Sequence, residues 1–172
     1  MAETAFIALG SNMGNAAANL DEALRALDLV PGVTVTGVSG YYVTAPWGYT
    51  DQPDFTNACG RVQTALSPEA LLGVCLGIEA GMGRVRKQCN GPRIIDIDLL
   101  LYEGEARRTE ELTLPHPGVT QREFVLRPLM DVAPGGMALW LDVQKALSAL
   151  ACAKGPGSVI GEAPVVKEQK TR

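Results

Sequence analysis

Gly91-Pro92-Arg93-Ile94-Ile95-Asp96-Ile97-Asp98-Leu99-Leu100-Leu101 has the aliphatic, β-branched composition of a buried strand from Ile94 onward, yet two aspartates interrupt it. Side chains alternate along a strand, so Asp96 and Asp98 point one way while Ile95, Ile97 and Leu99 point the other. Two carboxylates roughly 7 Å apart on one face can hold a pair of hard cations about 3.5–4 Å apart, the spacing that clamps phosphoryl oxygens. A bare Asp-x-Asp is equally the wet face of an edge strand. The segment just upstream favours the metal reading, because Arg84, Arg86, Lys87 and Arg93 crowd into it. Metal ligands beside arginines suggest a polyphosphate substrate.

The chain has 172 residues, 47% hydrophobic and 20% charged, enough for one ordinary domain with its own core. A net charge of −4 and a pI near 5.0 argue against nucleic acid or membrane as partner, since both reward a basic face. No apolar run approaches the ~18 residues of a membrane span, and the N-terminus has no signal-peptide pattern, so a cytoplasmic protein is expected. Cys59, Cys75, Cys89 and Cys152 form no C-x-x-C pair and share a single histidine, which predicts free thiols.

Working outward, Thr4–Leu9 reads as a strand that ends in the turn-rich Gly10-Ser11-Asn12-Met13-Gly14, a strand-to-helix connection. Asn15 or Asn19 caps a helix whose apolar stripe is Leu20, Ala23, Leu24 and Leu27, stopped by Pro31-Gly32. Val33–Val43 reads as one strand. The ten-residue connection Thr44–Pro53 is long enough to be functional. Asp54–Leu66 resumes as a strand with Phe55 and Asn57 on one face, a pairing that suits a flat heterocycle, although by itself it more often means a ring in the core and an amide at a strand edge.

Ser67-Pro68-Glu69 opens a helix in which Gly73, Gly77 and Gly81 form a smooth stripe, predicted to pack closely on a sheet. A charged excursion follows Tyr102. His116 stands between Pro115 and Pro117, which hold its backbone rigid; a lone histidine is more often structural than chemical. Val119–Met130 reads as a helix interrupted at Pro128, and Leu139–Leu150 as a last helix. Residues 1–150 form one expected domain, and 151–172 a weakly ordered C-terminal tail.

Together Leu9-Gly10-Ser11-Asn12, Tyr42-Val43-Thr44, Asp51-Gln52-Pro53-Asp54-Phe55-x-Asn57, Glu79-x4-Arg84-x-Arg86, Gly91-Pro92-Arg93-x-x-Asp96-x-Asp98, Leu114-Pro115-His116-Pro117 and Arg122-x-Phe124 closely resemble the 6-hydroxymethyl-7,8-dihydropterin pyrophosphokinases of folate biosynthesis, over about residues 5 to 135. The resemblance implies an α+β, ferredoxin-like antiparallel sheet with helices packed on it and long functional loops. It implies transfer of pyrophosphate from ATP to the pterin hydroxymethyl group, with release of AMP; nothing in the sequence suggests an obligate oligomer, so a monomer is expected. By position, Asp96 and Asp98 would hold two Mg2+ ions, with Arg84 and Arg93 nearest the developing charge. Phe55 and Phe124 would sandwich the pterin, read by Asn57 and the backbone at Thr44, Ala45 and Pro46, with Trp47 beside it. Glu79, Arg84, Arg86, Arg93, Ile97, Thr113, His116 and Arg122 would line the ATP site.

Cys89, Asn90 and Glu111 depart from the family's pattern, so closure of the basic loop is expected to rest on Arg86 and Lys87. Two other classes remain open: another two-metal phospho- or nucleotidyltransferase on a ferredoxin-like scaffold, which leaves Phe55, Asn57 and Phe124 without a role, and a non-catalytic ligand-sensing module, which leaves the aspartates without one.

Overall fold

The computed structural model describes residues 2–46, 49–85, 91–119, 121–133 and 159–162. Its frame is a β-α-β-β-α-β unit in the ferredoxin manner: β1 (Glu3–Ser11), α1 (Ala16–Leu29), β2 (Val33–Val38) with β3 (Tyr42–Thr44), β4 (Phe55–Thr64), α2 (Pro68–Gly81) and β5 (Asp96–Tyr102). The strands pair antiparallel in the order β5-β1-β4-β3, with β2 also on β4. A third helix, α3 (Glu123–Val132), follows a small ribbon of β6 (Arg107–Arg108) and β7 (Thr113–Leu114). The fold is thus α+β, as the resemblance implied.

Alternation along β1 divides the core. Ala5, Ile7 and Leu9 face one way and pack with Leu20, Ala23, Leu24 and Leu27 of α1 and Leu71 and Cys75 of α2. Phe6 faces the other way and packs with Cys59, Leu100, Val125, Leu126 and Leu129 beneath α3. Helices α1 and α2 each start where a side chain satisfies an orphan amide: Asn15 Oδ1 accepts from Ala18 N at 3.1 Å, and Ser67 Oγ from Ala70 N at 3.2 Å. Gly32 and Gly83, with φ of +83° and +85°, provide the left-handed residues that let the chain turn after α1 and α2.

Several elements differ from the sequence reading. Val33–Val43 is two strands, because the Ser39 hydroxyl enters the ladder: it accepts from Cys59 N at 2.8 Å and donates to Gly40 O at 2.7 Å, while Gly40 N turns to Asp131. The Gly73, Gly77 and Gly81 stripe faces open space, with nothing within 4 Å of a built Cβ. The sheet is met instead by Leu71, Cys75 and Glu79, spaced four apart. Pro128 sits inside α3 without ending it. An internal proline costs about 3 kcal/mol, and burying Val125, Leu126, Leu129 and Val132 at about 1.5–3 kcal/mol each outweighs that.

The charged excursion after Tyr102 closes into the β6–β7 ribbon, with Arg107 gripping Glu69 and Glu105. Within the stretch read as a tail, Val159–Glu162 forms β8 and pairs with β3 at the sheet edge. The expected helix at Leu139–Leu150 lies outside the described residues. Cys59 and Cys75 are free and buried.

Candidate active site

On the α3 side, at one end of the sheet, β1 finishes, β4 and β5 begin, and β3 ends. Register brings distant residues side by side there. Gly10 faces Asn57 on one neighbouring strand and Asp96 on the other, and Ala8 faces Asp98. Phe55, Asn57 and Asp98 share a face with the buried Leu100 and Cys59, so they project toward the layer that α3 covers. The pocket at this corner is lined by Gly10, Thr44, Ala45, Phe55 and Asn57 on one side and by Arg93, Asp96, Asp98, Arg122 and Phe124 on the other.

The first half is aromatic and neutral. Asn57 donates through Nδ2 to Thr44 Oγ1 at 2.6 Å, a buried bond that fixes the amide and turns Oδ1 over Gly10. A Cβ on Gly10 would stand 2.5 Å from that oxygen, so only glycine leaves the pocket floor open. Phe55 is buried at the start of β4, and Phe124 sits in the first turn of α3. Each ring carries an arginine: Arg93 lies 5.2 Å from the Phe55 centroid and Arg122 lies 5.9 Å from that of Phe124.

The second half is charged. Arg84 donates to Asp96 Oδ1 at 2.7 Å and Arg93 to Oδ2 at 3.0 Å, so both oxygens of one carboxylate are held by guanidinium groups. Arg84 is itself anchored by the buried Glu79, whose carboxylate also accepts from Ile97 N at 3.3 Å. Asp98 is pushed up to about 6, first by burial and next by the neighbouring Asp96, with Arg84, Arg122 and Arg93 pulling the other way. His116 is lowered by burial and by Arg122; its Nδ1 accepts from Gly118 N at 3.0 Å, and its backbone N–H donates to Leu100 O at 2.8 Å. That carbonyl lies where the β1–β5 register skips from Leu101 to Leu99.

Of the residues expected from sequence, Thr44, Ala45, Phe55, Asn57, Arg93, Asp96, Asp98, Arg122 and Phe124 converge on one pocket. Glu79 and Arg84 join it through Asp96. Ile97 contributes its amide, while its side chain packs in the core on the opposite face. Pro46 is buried next in the chain, and Thr113 is exposed on β7 without lining the pocket. Trp47, Arg86, Lys87, Cys89 and Asn90 lie outside the described residues. Gly10 was missed, since a glycine in a turn-rich run carries no sign that it sits opposite Asn57.

The donor set suits a hard cation. Among the described residues no group of three or more His, Cys, Asp or Glu could form a protein-only cage. Asp96 and Asp98, two carboxylates on one strand face, offer the oxygen donors that a hard cation prefers.

The family model described as 7,8-dihydro-6-hydroxymethylpterin-pyrophosphokinase (HPPK) matches residues 6–134. A 2-amino-4-hydroxy-6-hydroxymethyldihydropteridine pyrophosphokinase of Methylorubrum extorquens is 48% identical over 146 residues, 85% of this chain and 92% of the relative. One from Bacillus subtilis is 43% identical over 132 residues, 77% of this chain and 79% of the relative. Wild-type HPPK-DHPS of Plasmodium falciparum, solved with pteroate, superposes with a TM-score of 0.69 at 16% identity over 88% of this chain, which shows the fold alone. This chain spans 43% of that longer one.

Proposed function

The chain belongs to the 7,8-dihydro-6-hydroxymethylpterin-pyrophosphokinase family, and on that premise we propose which of its residues carry the reaction. It is an ATP-dependent enzyme of folate biosynthesis that moves the pyrophosphoryl group of ATP onto hydroxymethyldihydropterin. The hydroxymethyl oxygen forms a bond to the β-phosphorus, the bond from that phosphorus to the α,β-bridging oxygen breaks, AMP leaves, and the hydroxyl proton is released.

Phe55 and Phe124 bracket the pterin ring, and Asn57, its amide held by Thr44, meets the polar edge. Arg84, Arg93 and Arg122 neutralise the negative charge of the triphosphate and the charge that develops on the leaving AMP oxygen. Such transfers need positioning and charge stabilisation rather than a covalent nucleophile. Asp96 and Asp98 would hold magnesium, as two ions, which when bound would supply charge neutralisation at the phosphates and lower the pKa of the attacking hydroxyl. Glu79 and His116 flank the nucleotide side, and Trp47, Pro46, Arg86, Ile97 and Thr113 complete the two substrate subsites. The chain acts as a cytoplasmic monomer whose pyrophosphokinase domain is residues 1–150, with Val159–Glu162 added to the edge of its sheet. No described helix is long and apolar enough to cross a membrane.

The observation that carries this reading is the convergence of the aromatic-amide set and the paired aspartates, each ringed by arginines, on one pocket. Incubation with 6-hydroxymethyl-7,8-dihydropterin, ATP and magnesium should yield AMP in step with pterin pyrophosphate, and only with magnesium present. ADP as product, or magnesium-independent turnover, would sink the reading.

A further inference from the structure

Asn12 lies just past the pocket, in the turn after β1, and is 7% exposed. Its side chain uses both donors and its acceptor. Nδ2 donates to Gln52 Oε1 at 3.0 Å and to Pro53 O at 3.0 Å, and Oδ1 accepts from Arg93 N at 2.9 Å. Its own N–H donates to Arg93 O at 3.2 Å. One buried amide therefore joins three chain segments that are distant in sequence.

Each arm leads to a different half of the pocket. Gln52 passes the contact on to Tyr49 O at 2.5 Å, so residues 49–53, which run directly into Phe55, are held as a unit. On the other side, the backbone of Arg93 is fixed, and its guanidinium reaches Asp96 Oδ2 and covers the Phe55 ring. The turn itself is braced from α1, where Asn19 Nδ2 donates to Ser11 Oγ at 3.1 Å and Met13 O at 2.8 Å. A fully satisfied buried amide is specific: no other side chain of that size supplies two donors and one acceptor in one plane.

We propose that Asn12 is a positioning residue that couples the pterin half of the site to the nucleotide half, an inference that rests on the pterin and ATP reading of the pocket. A ligand that settles residues 49–55 sets the position of Arg93 through Asn12, and a ligand that engages Arg93 sets residues 49–55 in return, because coupling between binding sites is reciprocal. Asn12 touches neither reacting atom.

Asn12→Asp separates the two arms. A carboxylate still accepts from Arg93 N but meets Pro53 O and Gln52 Oε1 with no hydrogen to offer. Calorimetry should measure pterin affinity with and without magnesium and an ATP analogue whose α,β-bridging oxygen is replaced by carbon. In the wild-type chain the analogue should tighten pterin binding at least fivefold, the lower end of ordinary site-to-site coupling. N12D should lose most of that factor and show a fall in kcat larger than its change in KM for ATP. A residue that only supports the fold would lower the melting temperature and leave the factor intact, and that result overturns the proposal.

Should N12D fail to fold, Gln52→Ala removes one arm from a less buried position; it should lower the coupling factor about twofold or more, and a full factor there also overturns the proposal. A wild-type chain that forms no AMP overturns the reading of the pocket and the proposal with it. Normal wild-type turnover beside unchanged coupling in N12D overturns the proposal alone.

Discussion

Replacing Gly10 with alanine adds one methyl group at the floor of the pocket, and the structure gives the size of the conflict. The new Cβ would lie 2.5 Å from Asn57 Oδ1, which is 0.5 Å inside the 3.0 Å below which real Cβ contacts essentially do not occur (3.0 − 2.5). Asn57 cannot simply swing away, because Nδ2 is bonded to Thr44 Oγ1 at 2.6 Å in a buried setting. Either that bond breaks, leaving buried polar atoms unpaired at about 1–3 kcal/mol, or β1 shifts against a partner it pairs with from Glu3 to Ser11. Both displace the amide that faces the pocket.

The expected result for G10A is a stability loss of about 1–3 kcal/mol and a rise of roughly 10- to 100-fold in KM for the pterin. KM for ATP should move much less. Thermal melts and steady-state kinetics with each substrate varied would measure both. The conflict is with one side chain, so Asn57→Ala should absorb it. In that background G10A should add almost nothing, an interaction energy of about 1–3 kcal/mol in the double-mutant cycle. A G10A enzyme with wild-type pterin KM, or costs that simply add in the double variant, would refute the reasoning.

Asp98→Asn should nearly abolish turnover and raise the melting temperature of the metal-free protein at pH 7. The carboxyl is pushed up to about 6 in the folded state, so keeping it ionised opposes folding above that pH; the advantage of the variant should shrink as pH falls from 6 toward 4, and an equal gap at both ends would contradict this. Thr44→Val frees the Asn57 amide and should raise pterin KM roughly 3- to 10-fold, with Thr44→Ser restoring it; identical behaviour of the two variants in kinetics would count against the role of the hydroxyl. Glu79→Gln leaves Arg84 with Asp96 as its charged partner and should destabilise by about 2 kcal/mol, or roughly 4–8 °C, with turnover reduced through a displaced Arg84; an unchanged melt would show that the pair is not stabilising. Cys75 is buried with its thiol pushed up to about 12, so alkylation at pH 8 should be slow when the protein is folded and rapid in denaturant, and rapid native labelling of Cys75 would contradict its burial.

Much of the site was legible because strand alternation is a local rule. Two residues apart on one strand means one face, so Asp96 with Asp98 and Phe55 with Asn57 could be paired before any tertiary contact was known. Helix starts were equally local: Asn15 and Ser67 reveal themselves by side-chain type three residues before the amide they satisfy. The glycine stripe of α2 misled because small residues fit both a tight interface and open solvent, and nothing within the helix says which face the sheet will take. That choice fell to Leu71 and Cys75, whose apolar burial is worth more than the close approach glycine permits, and Glu79 follows on the same face with Arg84 and Ile97 N as its partners. The Val33–Val43 run hid its break because Ser39 replaces a ladder bond with its hydroxyl, a substitution visible only once Cys59 is beside it.

The sequence by itself therefore determined the chemistry at hand: paired carboxylates, a cluster of arginines, two aromatic rings and an amide, each in a strand or loop set by short-range pattern. Tertiary structure decided which of these meet. Gly10 became the pocket floor because antiparallel register set it between Asn57 and Asp96, and Asn12 became a three-way junction because the turn after β1 lies between Pro53 and Arg93. Register and loop contact depend on pairings between residues 40 to 90 positions apart, which the burial of two opposed core faces selects and no local pattern encodes.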